Sequence, residues 1–332
     1  MAKKITVEKV ENTSLWDSFV SSSPQGTVFS TSRWLNAASK AQGGEPCIMG
    51  VWENKKLVAG VSFIHIARGP FKKATSPVLT PYGGFIYCPD PGKRASEAEG
   101  VNITYAEYLT DYLRTHYNNV FLVHSPGLHD IRPFTWAGWT DNVRYTYIVD
   151  ITDTEKIWDM LERRVRTVIR NAESSLEISG PVDTEHFTGL YEQIYHNRGL
   201  PLPVGSKVFK AMVDNILRTD IAEMQTVRDG RGNVISSMIT VSDSSCVYAW
   251  VSGSIPEKNA SGAFSLLFWD AVKRHSSVHK RLDMVGANIR PIAFFKKGFG
   301  GILTPYYVTE HYSSQISRTA MKAFSWIRRF KR

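Results

Sequence analysis

Twice along this chain the same order of patterns runs past: a helix, a β-hairpin, a loop, a second helix and a strand. The first run covers residues 30–124 and the second residues 185–285. The two runs are unlike in sequence, so only the order repeats. An order repeated at this spacing implies an α+β chain of two tandem domains, with a boundary near Asp150. The size agrees, because 332 residues with 42% hydrophobic and 12% aromatic content supply more than one core.

In the first half, Ser30-Thr31-Ser32 supplies cap chemistry for a short helix reaching Lys40. A hairpin is expected over residues 46–68, turning at Asn54-Lys55-Lys56. Residues 69–92 read as loop, broken by Pro70, Pro77, Pro81, Pro89 and Pro91. A helix over 105–117 and strands over 120–124 and 143–150 follow. Thr152 and Glu155 form a capping-box pair that opens one helix running through Ser174. Its apolar stripe is Ile157, Met160, Leu161, Val165, Val168, Ile169 and Ala172, and its other surface carries Arg163, Arg164, Arg166 and Arg170.

Two amphipathic helices are expected over 185–197 and 206–218. A hairpin then turns at Asp229-Gly230-Arg231-Gly232. A strand over 246–253, a helix over 262–275, a strand over 281–285 and a last helix over 315–329 complete the chain.

Composition removes several classes. Cys47, Cys88 and Cys246 are far apart and odd in number, which argues against a disulfide framework or a zinc site and for a reducing, cytoplasmic setting. No apolar run has the length of a signal peptide or a membrane span. The net charge of +9 favours polyanionic partners. The positive charge gathers at residues 163–170 and in the tail Arg328-Arg329-Phe330-Lys331-Arg332.

Residues 280–301 concentrate the chemistry. A strand leads to Gly286, then to Asn288 and Arg290 in a loop, then to Phe294-Phe295-Lys296-Lys297-Gly298-Phe299-Gly300-Gly301. Glycines permit close backbone approach to a ligand or a positive φ. The phenylalanines would anchor the segment and hold a lysine in place. A held ammonium beside open backbone suits an anionic ligand or a developing oxyanion. A glycine-rich turn with solvated lysines is the plainer alternative.

Hairpin, strand, helix, strand is also the order of the GNAT acyltransferase core. Asp283-Met284-Val285-Gly286 followed by Phe295-Lys296-Lys297-Gly298-Phe299-Gly300-Gly301 resembles the ending of FemABX-like transferases, a branch of that superfamily. The 262–275 helix and the segment Arg166-Thr167-Val168-Ile169-Arg170-Asn171-Ala172 resemble further parts of it, with Asn171 where a lysine is usual. Trp34 matches the tryptophan near the start of its first half.

The resemblance spans nearly the whole chain and implies two tandem GNAT-like domains, each a mixed sheet flanked by helices. These would cover residues 1–150 and 151–311, with the segment 312–332 returning to the first. It implies acyl or aminoacyl transfer to an amine in cell-wall or surface-polymer synthesis. The donor would be acyl-CoA or aminoacyl-tRNA as co-substrate, with no permanently bound cofactor and no metal. The acceptor would be a small molecule or a nucleotide-sugar peptide.

Residue by residue, the resemblance points to Lys296 as the cation facing the oxyanion, with Lys297 beside it. Asp283 is a candidate base, or else a carboxylate capping the Gly286 turn. Arg198, Lys40 and Tyr82 are candidates for the acceptor. Ser261, Gly262 and Ala263 at a helix start, with Trp250 on the preceding strand, are candidates for the donor. The segment Lys258-Asn259-Ala260-Ser261-Gly262-Ala263 departs from the usual pyrophosphate fingerprint. Arg163, Arg164, Arg166 and Arg170 are the candidate contacts to tRNA. The rival reading is a non-catalytic module of this fold that binds RNA or an anionic surface.

Overall fold

The computed structural model describes residues 4–88, 92–197, 199–255 and 262–314. Arg198, the part of the Lys258 segment through Ser261, the helix expected over 315–329 and the basic tail lie outside the described residues. The chain divides into two compact units. One holds the residues up to Val143 and those from Tyr306 onward, and the other runs from Arg144 to Pro305.

In the first unit, α1 (Thr13–Ser22) and α2 (Ser32–Gln42) precede the hairpin of β2 (Glu45–Glu53) and β3 (Lys56–Arg68). Asn12 and Thr31 cap the two helices through their side-chain oxygens, as the Ser/Thr-rich entry suggests. The sheet order is β1 (Ile5–Lys9), β2, β3, β4 (Phe71–Thr75), β6 (Asn119–Val123) and the last part of β13 (Ile302–Tyr312), with β5 (Gly84–Tyr87) also on β3. Thus the segment 69–92, read from its prolines as loop, carries two short strands. Pro70, Pro77 and Pro81 fall outside both, so none of them removes a ladder donor. β4 and β6 run parallel, with α3 (Ala95–His116) between them in sequence. The short helix α4 (Arg132–Trp136) follows β6.

The second unit repeats that plan. β9 (Ala222–Asp229), β10 (Val234–Ser242) and β11 (Cys246–Ser254) form antiparallel ladders. α9 (Ala263–His275) then crosses to β12 (Arg281–Asp283), which runs parallel to β11. The sheet order is β7 (Thr140–Asp150), β12, β11, β10, β9 and β8 (Leu176–Ser179). Asp150 is therefore not at a linker. It ends a continuous strand and pairs with Arg281.

The single helix expected from Thr152 to Ser174 is two, α5 (Thr154–Met160) and α6 (Arg163–Glu173). Asp153, not Thr152, caps the first through Lys156 N. The chain turns at Leu161–Glu162, where Glu162 N donates to Gly298 O at 2.9 Å instead of continuing the helix. The helix α7 (Thr184–Asn197) lies against β11, and α8 (Ser206–Leu217) packs on α7 through Tyr191 and Phe209, whose rings stack at 3.8 Å.

The contact of α7 with β11 is close enough to require glycine. A Cβ on Gly253 would lie 2.6 Å from Leu190 Cβ and 2.9 Å from Tyr191 N, which is backbone and cannot step aside. Gly253→Ala is expected to cost about 1–3 kcal/mol, read as a lowered midpoint in urea unfolding. An unchanged midpoint would show that α7 can lift off β11 freely.

Candidate functional site

The second unit's site starts where β11 and β12 part. Their parallel pairing covers only Cys246–Arg281, Val247–Leu282 and Tyr248–Asp283. Beyond that, the chain leaving β12 stays with β7: Met284 N donates to Tyr147 O at 2.9 Å and Ala287 N to Tyr145 O at 2.6 Å. β11 meanwhile runs on to Ser254 along β10, with a bulge that makes Trp250 the extra residue between Ala249 and Val251. A bulge bends and twists its strand, and here it falls just after the parallel pairing stops. Trp250 itself is 95% buried.

Lys296 reaches the segment that leaves β12 from a helix, which begins at Arg290, within the stretch expected as a loop around Asn288 and Arg290. α10 (Arg290–Lys297) has Pro291 in its first turn, where a missing N–H costs nothing. Phe295 and Phe299 anchor it against Phe264 and Phe268, with ring centroids 5.4 and 4.6 Å apart. Lys296 is buried and Lys297 is exposed, because neighbouring residues on a helix face different sides.

The Lys296 ammonium donates all three hydrogens to backbone carbonyls: Met284 O, Val285 O at 2.7 Å and Gly286 O at 2.6 Å. Those carbonyls converge because Val285 and Gly286 both take positive φ, +51° and +76°. For a valine this costs about 1–2 kcal/mol. Burial pushes the Lys296 ammonium down to about 8, while the Asp283 charge holds it up. The three carbonyl acceptors also favour the charged form.

Asp283 is fully enclosed. It accepts from Thr146 Oγ1 at 2.6 Å and from Val285 N at 2.7 Å. This is the geometry of a carboxylate that caps the turn.

The glycines after Lys297 face protein. A Cβ on Gly298 would meet Val165 Cγ2 at 2.7 Å, and one on Gly300 would meet Met160 Cβ at 2.9 Å. They seat the α5–α6 corner, and of the two uses the sequence suggested, ligand approach or positive φ, Gly300 shows the second, with φ +75°. The arginines of α6 serve the same corner. Arg164 donates to Phe294 O at 3.0 Å, Arg166 to Asp159 O at 2.9 Å, and Arg170 lies 5.4 Å from the Trp158 ring centre. Arg163 is exposed.

At the start of α9, Gly262 has φ +78° and Ala263 is buried. Gly262 presses on α6, since a Cβ there would lie 2.6 Å from Val168 Cγ1. Gly262, Ala263, Trp250, Asp283, Lys296 and Lys297 thus belong to the second unit. Lys40 and Tyr82 belong to the first. Lys40 is exposed in the last turn of α2. Tyr82 was expected to line a cleft, but it is fully buried, its ring edge-on to Phe29 and Tyr306. An aromatic ring between two others is core packing.

With this geometry in place, solved structures give the comparison. FemX superposes with a TM-score of 0.68 at 13% identity, covering 90% of this chain and 96% of its own. The tandem GNAT protein from the clavulanic acid biosynthesis pathway follows at 0.53 and 10%, covering 94% and 99%. The C-terminal domain of a putative lysylphosphatidylglycerol synthetase from Agrobacterium fabrum gives 0.52 and 13%, covering 89% and 94%. This chain has the fold of FemX and of that tandem GNAT protein. No protein-family model and no curated protein matches its sequence. Among the described residues no helix is long and apolar enough to cross a membrane, and no group of His, Cys, Asp and Glu side chains could hold a metal ion.

Sequence reasoning missed the carbonyls of residues 284–286 and the hydroxyl of Thr146. Backbone acceptors leave no mark in composition, and Thr146 reads as an ordinary strand residue. The buried acceptor it serves makes a test. Asp283→Ala would strand the Thr146 hydroxyl and the Val285 N–H and deprive Lys296 of its counter-charge. At about 1–3 kcal/mol for each stranded group, an unfolding free energy lower by roughly 2 kcal/mol or more is expected from urea titration. A neutral result would show that water replaces the carboxylate.

Proposed function

We propose that this chain is an acyltransferase that moves an acyl or aminoacyl group from an ester or thioester donor onto an amine, in cell-wall or surface-polymer synthesis. Aminoacyl-tRNA and acyl-CoA are the two donor types. The observation that carries the reading is the buried Lys296 ammonium held at the fork between β11 and β12.

In this reading the amine attacks the donor carbonyl carbon and a tetrahedral oxyanion forms. The ester C–O or thioester C–S bond then breaks, and the leaving oxygen or sulfur takes up the proton that the amine gives. Lys296 supplies a fixed positive charge to the oxyanion, with one backbone carbonyl yielding its hydrogen to the new anion. The charge is already placed by protein, so the exchange of one acceptor for another is the rearrangement the reaction asks of it. Asp283 keeps the turn and the lysine in register. The rival reading, a binding module using the α6 arginines, is weakened because Arg164, Arg166 and Arg170 already have partners within the chain.

Purified protein incubated with charged tRNAs, acetyl-CoA and longer acyl-CoAs, with ester or thioester loss measured, identifies the donor. Lys296→Met should lower kcat by about 100-fold or more, as loss of one oxyanion donor does, with the fold retained by circular dichroism. Full turnover in that variant would remove Lys296 from the mechanism.

The pH dependence gives a second test. Only the ammonium can serve, so the rate should fall as pH rises through about 8. Stability should move the other way. The unfolded lysine keeps its proton to about 10.5 and the folded one releases it near 8, so in that window the unfolded chain binds more protons and folding gains with pH. A rate loss that tracked unfolding would contradict this assignment.

A further inference from the structure

Val285 is the feature of the fork that neither packing nor the reaction as described explains. It has φ +51°, a conformation β-branched residues rarely take. Glycine would hold the same turn without penalty. Its neighbours Met284 and Ala287 are buried in a core cluster of the second unit, yet Val285 is only partly buried and is not among the side chains of that cluster or those packed on it. Its backbone does the structural work, donating N–H to Asp283 and offering its carbonyl to Lys296. A glycine could make both bonds. The isopropyl group is therefore set, at a cost in strain, beside the candidate oxyanion cation and past the last paired residues of β11 and β12.

We infer that Val285 is a specificity-determining residue, whose side chain forms part of the wall met by the transferred acyl group and limits its bulk. The inference rests on the transferase reading above. It concerns the acyl group itself and applies whether that group arrives on CoA or on tRNA.

The test compares wild type with Val285→Gly and Val285→Ala. The donors are acetyl-, butyryl- and hexanoyl-CoA, and tRNAs charged with glycine, alanine, leucine and phenylalanine. The expected result is a shift of relative kcat/KM toward bulkier acyl groups by about tenfold or more, the scale at which a few methyl groups are discriminated, larger for Gly than for Ala. Val285→Gly should melt no lower than wild type, since strain is relieved and no core contact is lost.

Turnover with an unchanged order of preference in both variants would overturn this inference and leave the transferase reading standing. A clear fall in the melting temperature of Val285→Gly would overturn it too, by showing that the side chain is packing material. Absence of turnover by wild type with every donor would remove the transferase reading and this inference together.

Discussion

The arrangement depends on one cation with three backbone partners. Lys296 is largely withdrawn from water, and its ammonium survives burial because Met284, Val285 and Gly286 turn their carbonyls toward it. An isolated ammonium in such a place would lose its proton or drag in water. The carbonyls in turn are free to converge only because β12 stops pairing with β11 after Asp283. Cation, turn and strand fork are thus three aspects of one constraint.

Much of the second unit can be understood as support for that point. α10 delivers Lys296 and is clamped by Phe295 and Phe299 on α9. The glycines at 298 and 300 admit the α5–α6 corner, and the arginines of α6 tie that corner to carbonyls of α5 and α10. Asp283, held by the Thr146 hydroxyl, fixes the turn from beneath. The likeness to FemX and to a tandem GNAT protein is a likeness of fold, and the chemical argument comes from these residues.

The sequence made the α+β class, the hairpins and the repeated order legible, because period-2 runs and capping residues are local signals. It pointed to Lys296 with Lys297 beside it, and α10 turns the first inward and the second to solvent. What it hid was set by partners distant in sequence. The α5–α6 break follows from a bond between Glu162 and Gly298, and the glycine run serves helix packing and not ligand approach. Arg164, Arg166 and Arg170 of the arginine face also reach partners within the chain, which the charge pattern alone does not show. Tyr82 shows the converse: a tyrosine in a glycine-rich segment suggests a cleft, yet two neighbouring rings enclose it.

The most direct measurement is a crystal structure of the full chain bound to an unreactive thioether or amide analogue of whichever donor it consumes. The account predicts the atoms standing in for the scissile carbonyl in the gap between β11 and the segment leaving β12, with the carbonyl oxygen or its substitute within hydrogen-bond reach of Lys296 Nζ. An analogue seated elsewhere, with the lysine still fully engaged by its three carbonyls, would contradict it.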